Sequence, residues 1–224
     1  MNPAPLPSID TSSRPSRLAA RAWLLMLVDG LERADAAPIA NPSLHRLAYL
    51  ANCLAPVYDL PAPDGKIMKY RRGPFYPALQ WDIDRLVAQG LLAMMGFRHV
   101  RDKLGPWFHA SYALSDQAFR LIAALTIAPQ AARMHAYLQE VTLAYANLPE
   151  LGRENAALED ATYSDPEVHL NSLIDFGEWE KRNFTVKTAD AFARLSPPGI
   201  SLTGRDKLHL YFRYLNRMLE RTAG

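Results

Sequence analysis

The spacing of apolar residues divides the chain into helices, a pair of strands and the turns between them. Residues 17–34 (RLAARAWLLMLVDGLERA) place Leu18, Ala22, Leu25, Met26 and Asp29 on one helical face. Leu24, Leu27, Val28 and Leu31 widen that face, which predicts a helix buried on most sides, opened by Ser16 as N-cap. The proline-containing stretch 36–42 ends it. Asn41 as N-cap and Pro42 in the first turn restart a helix whose stripe is Leu44, Leu47, Leu50, Ala51 and Leu54. Pro56 and Pro61 close that helix, and PAPDG at 61–65 is a turn cluster.

The stretch 66–114 is the one around which the rest is organised. KIMKYRR alternates weakly, as a short strand would, and Gly73-Pro74 predicts a turn. Pro77 opens a helix over 78–90 with Leu79, Ile83, Leu86 and Val87 inward and Gly90 as the residue just past its end. LLAMMGFRHV and WFHASYAL predict a two-stranded ribbon around the basic tip RDKLGP. Ser115 caps a further helix with Ala118, Leu121, Ile122 and Leu125 as its stripe. Helix, helix, short strand, helix, hairpin, helix is the order of a winged helix. The expected fold is therefore mainly α: a flexible tail over 1–15, a winged-helix (α+β) domain with a β-ribbon wing over 16–125, and a helical C-terminal domain over 126–224.

Charge changes the picture mainly in the C-terminal part. Pro129 kinks or splits a long helix that continues through QAARMHAYLQEVTLAYANL. Residues 150–180 are acidic, with Arg153 as their one cation, and predict loops and short helices, including one in EVHLNSLIDFGEW. Residues 181–224 are basic. They hold the helix TADAFARL, the break SPPG and a final amphipathic helix with Leu208, Tyr211, Phe212, Leu215, Met218 and Leu219 on one stripe. The net charge of +2 is too small to announce a nucleic-acid binder by itself. Cys53, the single cysteine, excludes a disulfide framework and fits a reducing compartment. The N-terminus has no apolar core of a signal peptide, and the run AWLLMLV is far shorter than the ~20 residues of a membrane span. A cytoplasmic protein without membrane contact is expected.

No pattern predicts an active site. The histidines at 45, 99, 109, 135, 169 and 209 lack a metalloprotease or His-Cys spacing. His99 and His109 would face each other across the ribbon, without a third ligand. Asp82 and Asp84 do not share a helical face. No phosphate-binding or dinucleotide loop and no nucleophile elbow is present. No cofactor and no metal is expected. Lys66, Lys69, Arg98, Arg101 and Lys103, with Arg71, Arg72 and His99 beside them, are placed to meet a phosphate backbone without reading sequence. The helix between them lacks the Arg, Asn and Gln set of direct base readout, apart from Gln80 and Gln89. Arg71, Arg72, Phe75 and Tyr76 at the Gly-Pro turn are the candidate partner-binding residues, because Arg and aromatic side chains anchor interfaces.

Three segments carry a family resemblance: Leu44–Asn52 (LHRLAYLAN), Lys69–Pro77 (KYRRGPFYP) and Asp82–Leu92 (DIDRLVAQGLL). Together they resemble the small middle component of bacterial ABC-three-component anti-phage and anti-plasmid systems, the group that includes Lamassu. The likeness covers about 44–125. It implies a non-catalytic accessory subunit that sits on an SMC/Rad50-like ATPase and links DNA sensing to an effector, often a nuclease. A weaker likeness is to the SocA-type antitoxin and proteolytic-adaptor domain, whose Trp-x-Tyr-Gly-Pro lead is replaced here by Lys69-Tyr70-Arg71-Arg72. A winged-helix transcription regulator is the other alternative.

Overall fold

A computed structural model describes residues 17–61, 66–175, 183–197 and 199–223. The expected tail, the Ser16 cap, residues 62–65 of the turn cluster and 176–179 of the expected helix in EVHLNSLIDFGEW lie outside the described residues. The fold is mixed α and β, largely helical with two small antiparallel sheets. In chain order the elements are α1 (Arg17–Arg33), β1 (Ile39–Ala40), α2 (Asn41–Leu54), a 3-10 turn (Ala55–Tyr58), β2 (Lys66–Tyr70), β3 (Gly73–Phe75) and α3 (Pro77–Ala88). There follow β4 (Leu92–Asp102), β5 (Gly105–Leu114), α4 (Asp116–Leu125), α5 (Pro129–Ala146), α6 (Glu150–Asn155), β6 (Leu173–Asp175), α7 (Phe184–Leu195) and α8 (Gly204–Ala223). No described helix is long and apolar enough to cross a membrane.

The core forms where the broad apolar face of α1 meets α5 and α2. Leu24, Leu27, Val28 and Leu31 of α1 are buried with Leu44, Leu47, Leu50 and Leu54 of α2 and Leu138 and Val141 of α5. One apolar cluster runs from Trp23 to Leu215, so side chains on either side of residue 125 share it. The close crossing of α1 and α5 depends on Gly30. A Cβ there would lie 2.4 Å from the Thr142 hydroxyl, which itself donates to the Leu138 and Gln139 carbonyls. One residue earlier, buried Asp29 accepts from His135 and from Arg33, each at 2.6 Å. Burial would raise the Asp29 carboxyl, but those two hydrogen bonds outweigh it and hold the group below its ordinary value.

Two sheets organise the strands. β1 pairs with β5, Ile39 opposite Tyr112, and β5 pairs with the long edge strand β4. In the second sheet β2 is central, between β3 and β6. The β2–β3 turn sits at Arg71-Arg72, two residues ahead of the expected position, and Gly73-Pro74 begins β3. Gly73 needs its φ of +112°, and Arg46 Nε lies 2.9 Å from where a Cβ would be.

Other local expectations also change. Leu18 is exposed rather than buried, because it lies at the end of α1 beyond the core. The α2 N-cap is Ala40, without a side-chain cap, and Asn41 is the first helical residue, since the chain enters α2 directly from paired β1. The start of EVHLNSLIDFGEW is not helical: Leu173–Asp175 forms β6 and pairs with β2, Ile174 opposite Ile67. Three residues have no strand signal of their own. The ladder offered by β2 supplies it.

A buried carboxylate closes the C-terminal part onto this frame. Asp160 is fully buried and accepts five hydrogen bonds. They come from Tyr49 Oη of α2 (2.5 Å), Tyr211 Oη of α8 (2.6 Å), Thr185 Oγ1 of α7 (2.8 Å) and the backbone N–H groups of Thr162 and Tyr163 (3.0 Å each). Burial, with the Asp160 charge as a further cause, pushes the Tyr49 and Tyr211 hydroxyls well above their ordinary values, so they remain protonated donors. Nearby Cys53 is buried, and its thiol is likewise pushed up.

Truncating Asp160 strands every one of these donors. We expect Asp160→Ala to lower stability by about 3–5 kcal/mol in urea unfolding, with Asp160→Asn losing less. A loss below about 1 kcal/mol for the alanine variant would show that apolar packing alone seats α7 and α8.

Candidate interaction surface on the ribbon and the third helix

The Gly-Pro segment is held to α2 by a chain of polar contacts. The Tyr76 backbone N–H donates to His45 Nδ1 (3.2 Å), which leaves the proton on His45 Nε2 to be donated to Gln80 Oε1 (3.1 Å). Gln80 in turn donates to Asp84 (2.9 Å). Phe75 packs against the His45 ring at 4.9 Å, and Tyr76 is buried with its hydroxyl accepting from Asn52 (2.8 Å). Burial lowers His45 to about 4, against the raising effect of its bond to Gln80, so the ring is neutral at pH 7.

The four candidate partner-binding residues therefore differ. Arg71 is exposed at the hairpin turn, and Phe75 is half-buried. Tyr76 presents almost no surface. Arg72 forms a two-pronged ion pair with Asp102, donates to the Gly105 carbonyl (3.0 Å) and lies over the Trp107 ring. It clasps the ribbon tip to the β2–β3 turn and draws the Asp102 carboxyl down to about 2. Arg46, from α2, donates to the Arg72 carbonyl (2.7 Å) and steadies the clasp from behind.

The candidate phosphate-facing residues separate in the same way. Lys69 donates to the Asp165 carbonyl (3.2 Å) and lies over the Tyr163 ring, and desolvation lowers its pKa. Lys66 stands opposite Asp175 in the β2–β6 ladder. Both belong to the seam where the acidic segment docks on β2. Arg98, Arg101 and Lys103 are exposed on the ribbon and, among the described residues, take part in no ion pair.

The ribbon has two unlike faces. A bulge around Gly96 (φ +60°) shifts the register between Met95 and Arg98. Beyond it Arg98 pairs with His109, His99 with Phe108, Val100 with Trp107 and Arg101 with Pro106. His99 and His109 thus lie on opposite faces and do not form the pair that was expected. One face holds Val100, Trp107 and His109, and there Arg72 covers Trp107. The other holds Phe97 and Phe108, stacked at 5.4 Å and 13°, with His99 edge-on to Phe108 at 5.6 Å. Phe97 and Phe108 remain 61% and 62% exposed.

The outward face of α3 is apolar and aromatic. Ala78, Trp81 and Ala88 are exposed with Asp84, and Trp81 is 63% exposed. Arg85 lies over the Trp81 ring and pairs with Asp82 (3.7 Å), which also meets Arg21 (3.5 Å). Trp81 escaped the sequence reading, although its offset from the stripe Leu79, Ile83, Leu86 and Val87 is visible in the spacing. Phe97 and Phe108 were read as ordinary strand residues, because their exposure follows from how far the ribbon projects. No protein-family model matches the chain, and no curated protein is significantly similar to it.

Two outcomes follow. The His45 pKa in the unfolded chain is near 6.5, so between about 6.5 and 4 the unfolded state binds the extra proton and stability falls with acidification. Urea unfolding is expected to lose about 3 kcal/mol more between pH 7 and pH 4 in the wild type than in His45→Gln. Equal pH dependence in the two would remove His45 as the cause. For the clasp, Arg72→Ala is expected to speed amide exchange at the ribbon tip, at Leu104 above all, while the core amides keep their protection. Unchanged exchange at the tip would mean that the ribbon holds itself.

Proposed function

We propose that this chain is a non-catalytic adaptor: an accessory subunit that joins an SMC/Rad50-like ATPase to an effector nuclease in an anti-phage or anti-plasmid complex. The resemblance of Leu44–Asn52, Lys69–Pro77 and Asp82–Leu92 to the middle components of such systems motivates the identity of the partners. The order α1, β1, α2, α3, β4, β5, with β2 and β3 inserted between α2 and α3 and with β1 laid against β5, supports a winged-helix frame for it.

The outward face of α3 is the observation that carries the reading. A groove-reading helix displays free Arg, Asn or Gln side chains. Here Gln80 is engaged by His45 and Asp84, and Arg85 by Asp82 and Trp81. Gln89 is exposed just past the end of the helix, and the rest of the outward face is an exposed tryptophan among alanines, with Arg71 exposed at the β2–β3 turn. Trp and Arg are the side chains that most often dominate protein interfaces. The same observation weighs against a transcription regulator that reads a palindromic site.

The test is recovery of a tagged chain from its native host, with identification of what co-purifies. A long coiled-coil ATPase and a second, effector protein are expected. Trp81→Ala is expected to weaken the association by about 2 kcal/mol or more, with Arg71→Ala adding to the loss. Recovery of the chain alone would overturn the reading, as would recovery of a small toxin without an ATPase.

A further inference from the structure

The ribbon combines two features that point to one ligand chemistry. Its ring-bearing face holds Phe97 and Phe108 in an offset stack with His99 against them, and both phenylalanines stay largely exposed. Its charge is one-sided. Arg98, Arg101 and Lys103 are exposed without ion pairs among the described residues, whereas Asp102 is neutralised by Arg72. An apolar protein partner would bury the rings, but burying them would also desolvate the unpaired Arg101 on the same face. A polyanion that carries flat π-faces satisfies both features together.

We propose that the ring-bearing face of the β4–β5 ribbon binds single-stranded nucleic acid, with bases stacking on Phe97 and Phe108 and phosphates meeting Arg101 and Lys103, while Arg98, paired with His109, lies on the opposite face. A single strand is favoured over a duplex because only unpaired bases offer free π-faces to side chains. Arg101 shares the ring-bearing face through its pairing with Pro106, and Lys103 lies at the ribbon tip. The bulge at Gly96 brings Phe97 onto the face of Phe108, which a regular ladder would not do. Stacking is tolerant of sequence and uses the base faces, which deoxy and ribo strands share. Deoxy and ribo strands therefore bind alike. The Arg72 clasp presents the face by fixing the tip from the opposite side. This inference stands apart from the adaptor reading, because it concerns the isolated chain.

The experiment is fluorescence anisotropy with the purified full chain and labelled oligothymidylate or oligouridylate of about 15 nucleotides, beside a duplex of equal length. Both single strands are expected to bind with similar affinity, roughly tenfold or more tighter than the duplex. Phe97→Leu and Phe108→Leu keep an apolar side chain and remove the π-face. Each is expected to weaken binding about fivefold or more, with the melting temperature unchanged. The slope of log K against log salt should be about −1.4 and fall in size by about 0.7 in Arg101→Ala. Absence of binding at low salt, equal affinity for the duplex, or indifference to the leucine variants would each overturn the proposal. So would a result in which the rings govern capture of a protein while no strand binds.

Discussion

The fold depends on one buried carboxylate finding enough donors. Asp160 lies without solvent among Tyr49, Thr185 and Tyr211, and an ion so placed is tolerable only when hydrogen bonds replace its water. Those donors come from α2 and from α7 and α8, which follow it more than a hundred residues later in the chain. The carboxylate therefore sets where the C-terminal helices sit on the frame built by α1, α2 and α5. Asn183 adds to this from the start of α7, donating to the Cys53 carbonyl at 2.8 Å. A purely apolar seam between α2, α7 and α8 would permit sliding. Directional bonds to one point do not.

The same economy of charge explains the second sheet. The described part of the acidic stretch after residue 150 docks on the frame through one buried acid and through its backbone. Asp160 is internal, the Asp165 carbonyl receives Lys69, and β6 extends the ladder begun by β2. The cations of β2 are thereby engaged, and those of the ribbon are left to face outward. Among the described residues, the α3 face around Trp81 and the ring-bearing face of the ribbon both keep large aromatic side chains exposed. The His45–Gln80 bond and the Arg72 clasp hold the two in fixed relation to α2.

Much of this was legible in the chain, and the parts that were not share a cause. The stripes of α1, α2, α3 and α8 stand in the spacing, because burial of one helical face is a local pattern. The Ser115 cap is likewise local, and its Oγ accepts from Ala118 N at 3.3 Å. Asp160 could not be singled out among the other acids near it, since only the folded chain brings two tyrosines and a threonine to it. β6 was hidden for the same reason: its strand character comes from β2. The candidate site divided along that line. Arg71, Arg98, Arg101 and Lys103 are exposed as a charged residue in a turn or ribbon should be. Arg72 and Lys69 are drawn into contacts with Asp102 and the Asp165 carbonyl, which their neighbours in sequence do not foretell.

The central claim is that α3 presents a face made to be covered by a protein. A photo-crosslinking residue at position 81, compared in cells with the same residue at exposed Arg213 of α8, tests this directly. The account predicts a covalent adduct with the ATPase from position 81 and none from position 213. Equal yields from both positions, or no adduct from position 81 with the chain folded and expressed, would contradict it.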